Sequence, residues 1–182
     1  MEEKHKDNKN IILIGFMGCG KTTFGKWIEQ NRTRRFIDTD DFIVEHQKCS
    51  INDIFAEHGE EYFRNLETDC LRELISEKLS DTVISVGGGL PLREENGRLL
   101  RELGMVVYLR ARVDTLVKRL SHDKTRPLLA GGNLREKIES LMAAREALYK
   151  EAADIIVKTD DRRFEDMYTD VVTAINMGIM ED

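Results

Sequence analysis

Cysteine is scarce in this chain, and its few cysteines lie far apart. The 182 residues include three cysteines, Cys19, Cys49 and Cys70, and no two of them form a CxxC pair. Disulfide frameworks and zinc sites need cysteines at short, regular spacings. We therefore expect free thiols in a reducing compartment, and neither a disulfide scaffold nor a zinc site.

Long apolar runs and an excess of basic charge are also missing. No run approaches the roughly 18 apolar residues that a membrane span requires, and the polar segment 1–10 lacks the apolar centre of a signal peptide. Asp and Glu number 34 against 28 Lys and Arg, which gives a net charge of −6. This balance argues against nucleic acid or an anionic membrane as a partner. We expect a cytoplasmic monomer, in which a local basic pocket could still bind a small anionic substrate.

The composition is typical of one globular α/β domain. The chain is 41% hydrophobic and 34% charged, and its length favours a single domain, placed at 11–178 after a polar tail at 1–10. Short apolar runs predict strands at Ile11–Ile14, Phe36–Ile37, Thr82–Val86, Met105–Leu109 and Ile155–Val157. Helical segments are predicted at Lys21–Asn31, Asp41–Gln47, Ile51–Leu79 (with breaks near Ser50 and Gly59), Arg93–Leu103, Val113–Leu120, Leu134–Ala152 and Phe164–Met177. This alternation predicts a three-layer sandwich, a parallel sheet with helices on both faces.

The strongest motif is a glycine-rich loop, GFMGCGKT over Gly15–Thr22, which fits the spacing GxxxxGK[ST]. It follows a predicted strand and opens a predicted helix. Glycines let backbone N–H groups face phosphates, and the helix N-terminus adds partial positive charge. Lys21 would reach the β- and γ-phosphates, and the Thr22 hydroxyl would ligate Mg²⁺. The alternative, a glycine-rich turn without a ligand, is disfavoured by this context.

Two acidic residues follow the second predicted strand. An ATPase commonly has an apolar strand ending in Asp that helps to hold magnesium, but the strand Thr82–Val86 is followed by glycines instead. Asp38 and Asp40 lie two residues apart at a strand end, so extended backbone would direct both side chains to one side. One could support Mg²⁺ while the other faces a substrate hydroxyl. The alternative is that they cap the next helix, and the nearby phosphate loop favours the functional interpretation.

Cys19 lies inside the glycine-rich loop, next to Gly20 and Lys21. A helix N-terminus and a neighbouring Lys both favour the thiolate, which is the reactive form of cysteine. This predicts that modification of Cys19 inactivates the protein and that bound ATP protects it. The alternative is a side chain that points into the core and is inert.

Three arginines are candidates for binding anions. Glu60, Arg64 and Glu67 share one helical face, so Arg64 could be held by carboxylates and aimed at an anion, or the three could form a solvated salt-bridge face. Arg126 lies at the root of a glycine-hinged loop and suits a lid over ATP, although a plain surface loop fits equally well. Arg145 by itself looks like an ordinary helix-surface charge.

Taken in order, these motifs resemble the shikimate kinase family. They are GFMGCGKTT from Gly15, FIDTD from Phe36, the pattern IFxxxGExxFRxxE over 54–67, SVGGG from Ser85, TRPLL from Thr125 and REALY from Arg145. The phosphate loop is shared by many families, but this combination is specific, and it spans about 11–161. The resemblance implies a nucleoside-monophosphate-kinase-like P-loop protein with a five-stranded parallel sheet. It also implies transfer of the ATP γ-phosphoryl group to the 3-hydroxyl of shikimate, a small hydroxylated carboxylic acid of aromatic amino-acid biosynthesis.

The resemblance assigns a role to each matched residue. The implied ATP site comprises Gly18, Cys19, Gly20, Lys21, Thr22, Thr23, Arg119 against the adenine, and Arg126 from a lid at about 122–133. Thr22 and Asp38, the latter through water, would hold Mg²⁺. The implied shikimate site, within helices at about 40–79 and beyond, comprises Asp40, Arg64, Gly87, Gly88, Gly89 and Arg145. Both of these arginines would clasp the carboxylate, with Glu67 orienting Arg64. The catalytic residues would be Lys21, Arg126 and Asp40, the last as general base.

One segment departs from the family pattern, and two rival functions remain. The segment Asn31–Arg35 is basic where the family has an apolar residue and a glycine, so the helix end there is in doubt and we expect the cluster to be solvated. One rival is a gluconate or nucleoside-monophosphate kinase of the same fold, although no base pocket or extra phosphate-binding arginines are identifiable. The other is a non-catalytic nucleotide-binding module, although Lys21, Asp38 and Asp40 are all present.

Overall fold

A computed structural model describes residues 9–121, 129 and 132–179. In this part of the chain five strands form one sheet in the order β2-β3-β1-β4-β5. The strands are β1 (Ile11–Ile14), β2 (Arg35–Asp38), β3 (Thr82–Ser85), β4 (Met105–Arg110) and β5 (Ile155–Lys158). Every neighbouring pair is parallel, which confirms the predicted parallel sheet.

The helices pack on this sheet close to their predicted positions. They are α1 (Lys21–Asn31), α2 (Thr39–Gln47), α3 (Ile51–Ser76), α4 (Glu94–Leu103), α5 (Val113–Leu120), α6 (Leu134–Ala152) and α7 (Phe164–Ile179), with a short 3-10 helix at Leu90–Leu92. The predicted break at Gly59 is a kink inside α3, with φ +81°. Helix α3 ends three residues before the predicted Leu79, because Lys78 turns to a left-handed φ of +52°.

Strand β1 occupies the centre of the sheet. Ile11 lies opposite Val83 of β3 on one side and opposite Met105 of β4 on the other. All four residues of β1 have no exposed surface. Helices cover both faces of a parallel sheet, so a central strand is apolar on both sides. This explains why continuous apolar runs marked the central strands.

Asn10 belongs to the fold, although the sequence placed it in the polar tail. The side-chain NH₂ group donates to the backbone carbonyls of Leu79 and Leu103, both at 2.9 Å, and the side-chain oxygen Oδ1 accepts from the Thr82 N–H at 3.1 Å. The side chain is buried because these three backbone groups satisfy it. It therefore joins the start of β1 to the segments that lead into β3 and β4.

The expectation that the basic cluster at Asn31–Arg35 is solvated is wrong for Arg34. This side chain is 8% exposed, donates to the Lys9 carbonyl at 2.7 Å and lies 3.7 Å from an Asp81 carboxylate oxygen. Arg32 lies 5.1 Å from the ring centroids of both Trp27 and Tyr168. Arginine stems pack well on apolar surface and aromatic faces, so Arg32 helps to hold the end of α1 against Tyr168 of α7.

The parallel strands place their carboxyl ends at one edge of the sheet. The glycine-rich loop follows β1, Asp38 ends β2, and Gly87–Gly89 lie just after β3. Ligands of open α/β sheets bind in a crevice outside this edge. Because β3 neighbours β1, the Val86 N–H donates to the Leu13 carbonyl at 3.1 Å. This contact sets Gly87–Gly89, the glycine turn, beside the glycine-rich loop.

Candidate active site

A cleft of about 700 Å³ opens at the carboxyl edge of the sheet. It is lined by the glycine-rich loop, by Asp38 and Asp40, by Gly87 and Gly88, and by Arg119. The structure thus brings most of the predicted nucleotide and metal residues to one cavity. Arg64, Gly89 and Arg145 do not line it.

The glycine-rich loop needs glycine at its first and last turns. Gly15 has φ +140°, and a Cβ atom there would lie 2.6 Å from the Leu109 carbonyl oxygen of β4. Gly20 has φ +106° and is the residue before α1. L-residues with side chains rarely adopt such conformations. The loop can therefore press close to the sheet and turn its N–H groups outward.

Helix α1 begins without a side-chain cap, unlike several other helices of the described chain. Its first turn contains no acidic residue, and no side chain accepts from its first N–H groups. By contrast, α2, α3 and α6 are capped by Asp38, Ser50 and Asn133. Uncapped N–H groups at a helix N-terminus form an anion-binding site. At α1 they face the cleft, as the phosphate-loop interpretation requires.

Two cationic side chains lie on the backbone of the loop. The Lys21 ammonium group donates to the carbonyls of Gly15 at 2.8 Å and Phe16 at 3.3 Å. The Arg119 guanidinium group donates to the carbonyls of Gly18 at 3.0 Å and Cys19 at 3.1 Å. Both groups therefore hold the loop closed and lie where a polyphosphate would meet them.

Thr22 and Asp38 meet in the cleft, which makes them candidate ligands for Mg²⁺. The Thr22 hydroxyl donates to Asp38 Oδ2 at 2.9 Å, and Asp38 Oδ1 accepts from the Asp40 N–H at 3.1 Å. Asp38 is thus a helix cap and a cleft residue at once, so the capping alternative is confirmed for it, and its role at Mg²⁺ stays a prediction. A hydroxyl and a carboxylate beside a phosphate site suit Mg²⁺, which is held by few protein oxygens together with substrate phosphates. Among the described residues no cluster of three or more His, Cys, Asp or Glu side chains could hold a metal ion.

Cys19 points its sulfur into the core, so the prediction that its thiol is accessible to a reagent is wrong. Its residue is 1% exposed, and the sulfur lies 3.0 Å from where a Gly15 Cβ atom would be. The alternative of a side chain that points into the core is the one that the structure has, and Cys19 lines the cleft beside Lys21 and Gly20 through its backbone. Cys19, Cys49 and Cys70 are all free thiols, as expected.

Asp40 and Glu67 bring two carboxyl groups to the glycine turn. A Cβ atom on Gly87 would lie 2.8 Å from Asp40 Oδ1 and 2.8 Å from Glu67 Oε1. Glu67 is 1% exposed, and burial raises its pKa to about 7, even though Arg64 lowers that pKa. Only glycine leaves room for both groups, so Gly87 fixes how closely Asp40 approaches the turn.

Arg64 is held by carboxylates on its own helix, as the sequence predicted. Its guanidinium group donates to Glu67 Oε2 at 2.8 Å and to Glu60 Oε1 at 2.9 Å. A Cβ atom on Gly89 would lie 2.7 Å from Arg64 Cζ, so the guanidinium group covers the glycine turn. It is 19% exposed, which excludes a freely solvated salt-bridge face.

Tyr149, a residue that the sequence did not single out, contacts the same turn. It lies one helical turn after Arg145 on α6, and burial raises its pKa to about 12, although the charge of Arg145 lowers that pKa. The Tyr149 hydroxyl donates to the Gly88 carbonyl at 2.6 Å. The REALY motif therefore brings Tyr149 to the glycine turn, and the role of Arg145 stays a prediction.

Sequence reasoning also missed two other groups. Arg93 donates to the Arg64 carbonyl at 3.3 Å and to the Thr68 hydroxyl at 3.1 Å, which joins α3 to the segment after the glycine turn. The turn after β5 lines the cleft with Thr159 and with 161–164. The available signal for this turn was its place at the carboxyl end of a predicted parallel strand.

Two predicted features can be placed only in part. Arg126 and most of the lid at about 122–133 lie outside the residues that the structure describes. Within that range Leu129 is 8% exposed, and Asn133 caps α6.

None of the helices in the described part of the chain has the length and apolar character of a membrane span.

The chain is similar in sequence and in structure to known shikimate kinases. The sequence model of the family described as shikimate kinase matches residues 17–176. The shikimate kinase of Geobacter sulfurreducens is 41% identical over 169 residues, covering 93% of this chain and 92% of that protein. That of Dictyoglomus turgidum is 44% identical over 170 residues, covering 91% and 96%. The solved structure of shikimate kinase from Acinetobacter baumannii in complex with shikimate has a TM-score of 0.85 at 34% identity, covering 94% of each chain.

Proposed function

The chain belongs to the shikimate kinase family, and on that premise we propose that its cleft transfers the γ-phosphoryl group of ATP to the 3-hydroxyl of shikimate. Enzymes of this family are ATP-dependent kinases, so the chain is a phosphotransferase that uses ATP. The proposal concerns the role of each residue. It assigns the glycine-rich loop to the nucleotide and the glycine turn to the acceptor.

The nucleotide phosphates would bind at the N-terminus of α1. The uncapped N–H groups there and the Lys21 ammonium group would exchange their present environment for phosphate oxygens. Lys21 now binds the loop carbonyls of Gly15 and Phe16, a short distance from where phosphates would lie. Arg119 lines the same cleft, which suits a contact with the nucleotide, and Arg126 would supply a further cation.

Mg²⁺ would lie beside Thr22 and Asp38, whose oxygen atoms meet at 2.9 Å. When bound, the ion would neutralise charge on the phosphates of ATP. Asp38 keeps its second oxygen on the N–H of Asp40. This contact fixes the start of α2 and therefore the position of the Asp40 carboxylate.

The acceptor would bind at the glycine turn, between the two arginines. Arg64 covers Gly89, and Arg145 lies one helical turn before Tyr149, whose hydroxyl donates to the Gly88 carbonyl. Guanidinium groups recognise carboxylates with paired, charge-assisted hydrogen bonds. A small acid clasped there would have its hydroxyl groups beside Asp40, which lines the cleft next to Gly87. Asp40 would accept the proton of the attacking hydroxyl.

The observation that carries the proposal is the arrangement of Arg64, Glu67, Asp40 and the glycine turn. A metal-dependent phosphate site does not require a second carboxylate or an arginine that covers Gly89. The extra carboxylate implies an acceptor hydroxyl, and the extra arginines imply an acceptor carboxylate.

An acceptor panel tests the proposal. With MgATP, we expect ADP release, followed by a coupled assay, to depend on shikimate and to stay at background with gluconate, AMP or CMP. Release of ADP with gluconate or CMP but not with shikimate would overturn the assignment. Background release with every acceptor would favour a nucleotide-binding module without catalysis.

A further inference from the structure

We propose that Thr68 and Asn96 are positioning residues for the acceptor, because a buried chain of hydrogen bonds through their side chains holds Arg64 over the glycine turn. The inference rests on the proposed function. It goes further by assigning the placement of Arg64 to two residues that do not themselves touch the reacting atoms.

The contacts of Arg64 explain why a further connection is needed. Its guanidinium group donates to Glu67 at 2.8 Å and to Glu60 at 2.9 Å, and both carboxylates lie on α3 itself. These contacts orient the guanidinium group on the helix, but they do not place the helix against Gly89. Helix α3 also kinks at Gly59, so the part of the helix before Arg64 does not fix this position. Support must therefore come from the part of α3 that follows Arg64.

Thr68 supplies this support one helical turn after Arg64. It is 2% exposed, and its hydroxyl lies 2.9 Å from Asn96 Oδ1 and 3.1 Å from the Arg64 carbonyl oxygen. Asn96, on α4, is 1% exposed, and its side-chain NH₂ group donates to the Leu90 carbonyl at 2.9 Å. Leu90 directly follows Gly89, so one buried amide group joins α3 to the glycine turn.

The chemistry of these groups fixes the direction of each hydrogen bond. The Leu90 carbonyl can only accept, so the NH₂ group of Asn96 faces it and the amide oxygen faces Thr68. One nitrogen atom of Arg93 donates to the Thr68 hydroxyl at 3.1 Å and to the Arg64 carbonyl at 3.3 Å. Because a guanidinium group can only donate, the Thr68 hydroxyl accepts from Arg93 and donates along the shorter of its own two contacts, to Asn96. The chain of hydrogen bonds therefore runs in one direction, from Arg93 to Leu90.

The close fit between Arg64 and Gly89 depends on this chain. A Cβ atom on Gly89 would lie 2.7 Å from Arg64 Cζ, so the guanidinium group lies directly on the backbone of the turn. Loss of the Thr68 hydroxyl would leave Asn96 Oδ1 and one N–H of Arg93 without this partner. Unsatisfied buried polar groups are costly, so α3 and the turn would shift to relieve them. The shift would weaken binding of the acid more than binding of ATP.

Thr68→Val is the test, because it removes the hydroxyl and keeps the size and shape of the side chain. We expect the KM for shikimate to rise about three- to tenfold, as loss of one buried hydrogen bond predicts. The KM for ATP and kcat should stay close to their wild-type values. Thr68→Ser keeps the hydroxyl and should restore the KM for shikimate.

Thr82→Val is the matched control. Thr82 is 1% exposed and its hydroxyl donates to the Ser80 carbonyl at 2.9 Å, but it begins β3, at the end of the strand opposite the glycine turn. The same substitution should lower thermal stability in both variants and raise the KM for shikimate only in Thr68→Val. An equal rise in both variants would show a general loss of stability and would overturn the inference.

Arg93→Met keeps the test decisive if Thr68→Val does not fold. The Arg93 side chain is 28% exposed, so the fold tolerates its loss better than that of a fully buried group. We expect this variant to raise the KM for shikimate as well. Where both variants fold, the double variant should exceed the larger single effect only slightly, because both changes break the same chain.

Three results would contradict this inference. They are an unchanged KM for shikimate in Thr68→Val or Arg93→Met, equal increases in the KM for shikimate and for ATP, and full additivity in the double variant. Lack of shikimate turnover by the wild-type protein would overturn the proposed function together with the inference. Normal wild-type turnover with an unaffected Thr68→Val would overturn the inference alone.

Discussion

Asp40→Asn should lower kcat for shikimate phosphorylation by about 10²-fold or more, with the fold intact. A positioned general base contributes about 10²- to 10⁴-fold to a rate, and asparagine keeps the shape of aspartate but cannot accept the proton. The hydrogen bond from the Asp40 backbone N–H to Asp38 Oδ1, at 3.1 Å, is unaffected by the change. Steady-state rates at saturating ATP and shikimate measure the effect, and circular dichroism checks the fold.

Asp41→Asn is the matched control for this variant. Asp41 is the next residue on α2, its side chain is exposed, and it shares the first turn with Asp40. Both substitutions remove one negative charge from the same helix N-terminus, so a general electrostatic effect would appear in both. We expect a normal kcat in Asp41→Asn. A kcat for Asp40→Asn within about threefold of the wild-type value would rule out Asp40 as the base.

Arg64→Ala should weaken shikimate binding by about 10- to 150-fold and leave ATP binding within about twofold. The estimate follows from roughly 1.5–3 kcal/mol for a hydrogen bond to a charged group. Arg64 covers Gly89 and does not line the nucleotide cleft, so the loss should be confined to the acid. Isothermal titration calorimetry with each ligand decides the point.

Arg72→Ala provides the control for Arg64→Ala. Arg72 lies on the same helix α3 and likewise pairs with two carboxylates, Asp69 and Glu95, but its side chain is 53% exposed. We expect normal affinity for both ligands.

In Arg64→Ala the pKa of Glu67, raised by burial to about 7, should rise further once the arginine that lowers it is gone. In this variant Glu67 should therefore take up a proton at neutral pH. Separately, equal losses of ATP and shikimate affinity in Arg64→Ala would mean that Arg64 is structural.

The sequence predicted the fold well because the three inner strands, β1, β3 and β4, are buried on both faces. The runs at Ile11–Ile14 and Met105–Leu109 are too short for helices and too apolar for loops, and the structure makes both of them central strands. The starts of helices were less certain because one side chain can cap a helix and line the cleft at the same time. Asp38 is the clearest example, since one oxygen caps α2 and the other meets Thr22.

Side-chain direction within the glycine-rich loop could not be predicted from the motif. The spacing places Cys19 beside Lys21, but it does not say which way the sulfur points. Gly15 turns at φ +140°, and the loop that follows directs the thiol into the core. Because Cys19 is 1% exposed, its sulfur is out of reach of a reagent, and burial overrides the prediction from the motif.

Contacts between distant segments were the other limit of the sequence. Tyr149 and Gly88 are 61 positions apart, and Arg93 and Thr68 are 25 apart. A tyrosine on a helix and an arginine after a turn carry no local signal of a partner. Matching the motifs to a family assigns Arg145 to the implied site, but only the fold shows that Tyr149, one helical turn later, donates to the Gly88 carbonyl.

Phosphorus-31 NMR of the product that the protein forms from MgATP and shikimate tests the central claim most directly. We predict one phosphomonoester, formed in an amount equal to the ADP released, whose phosphorus couples to the ring proton at C3 of shikimate. A phosphoryl group on a different hydroxyl, or release of inorganic phosphate with no ester, would contradict the assignment of the glycine turn and Asp40 to the acceptor.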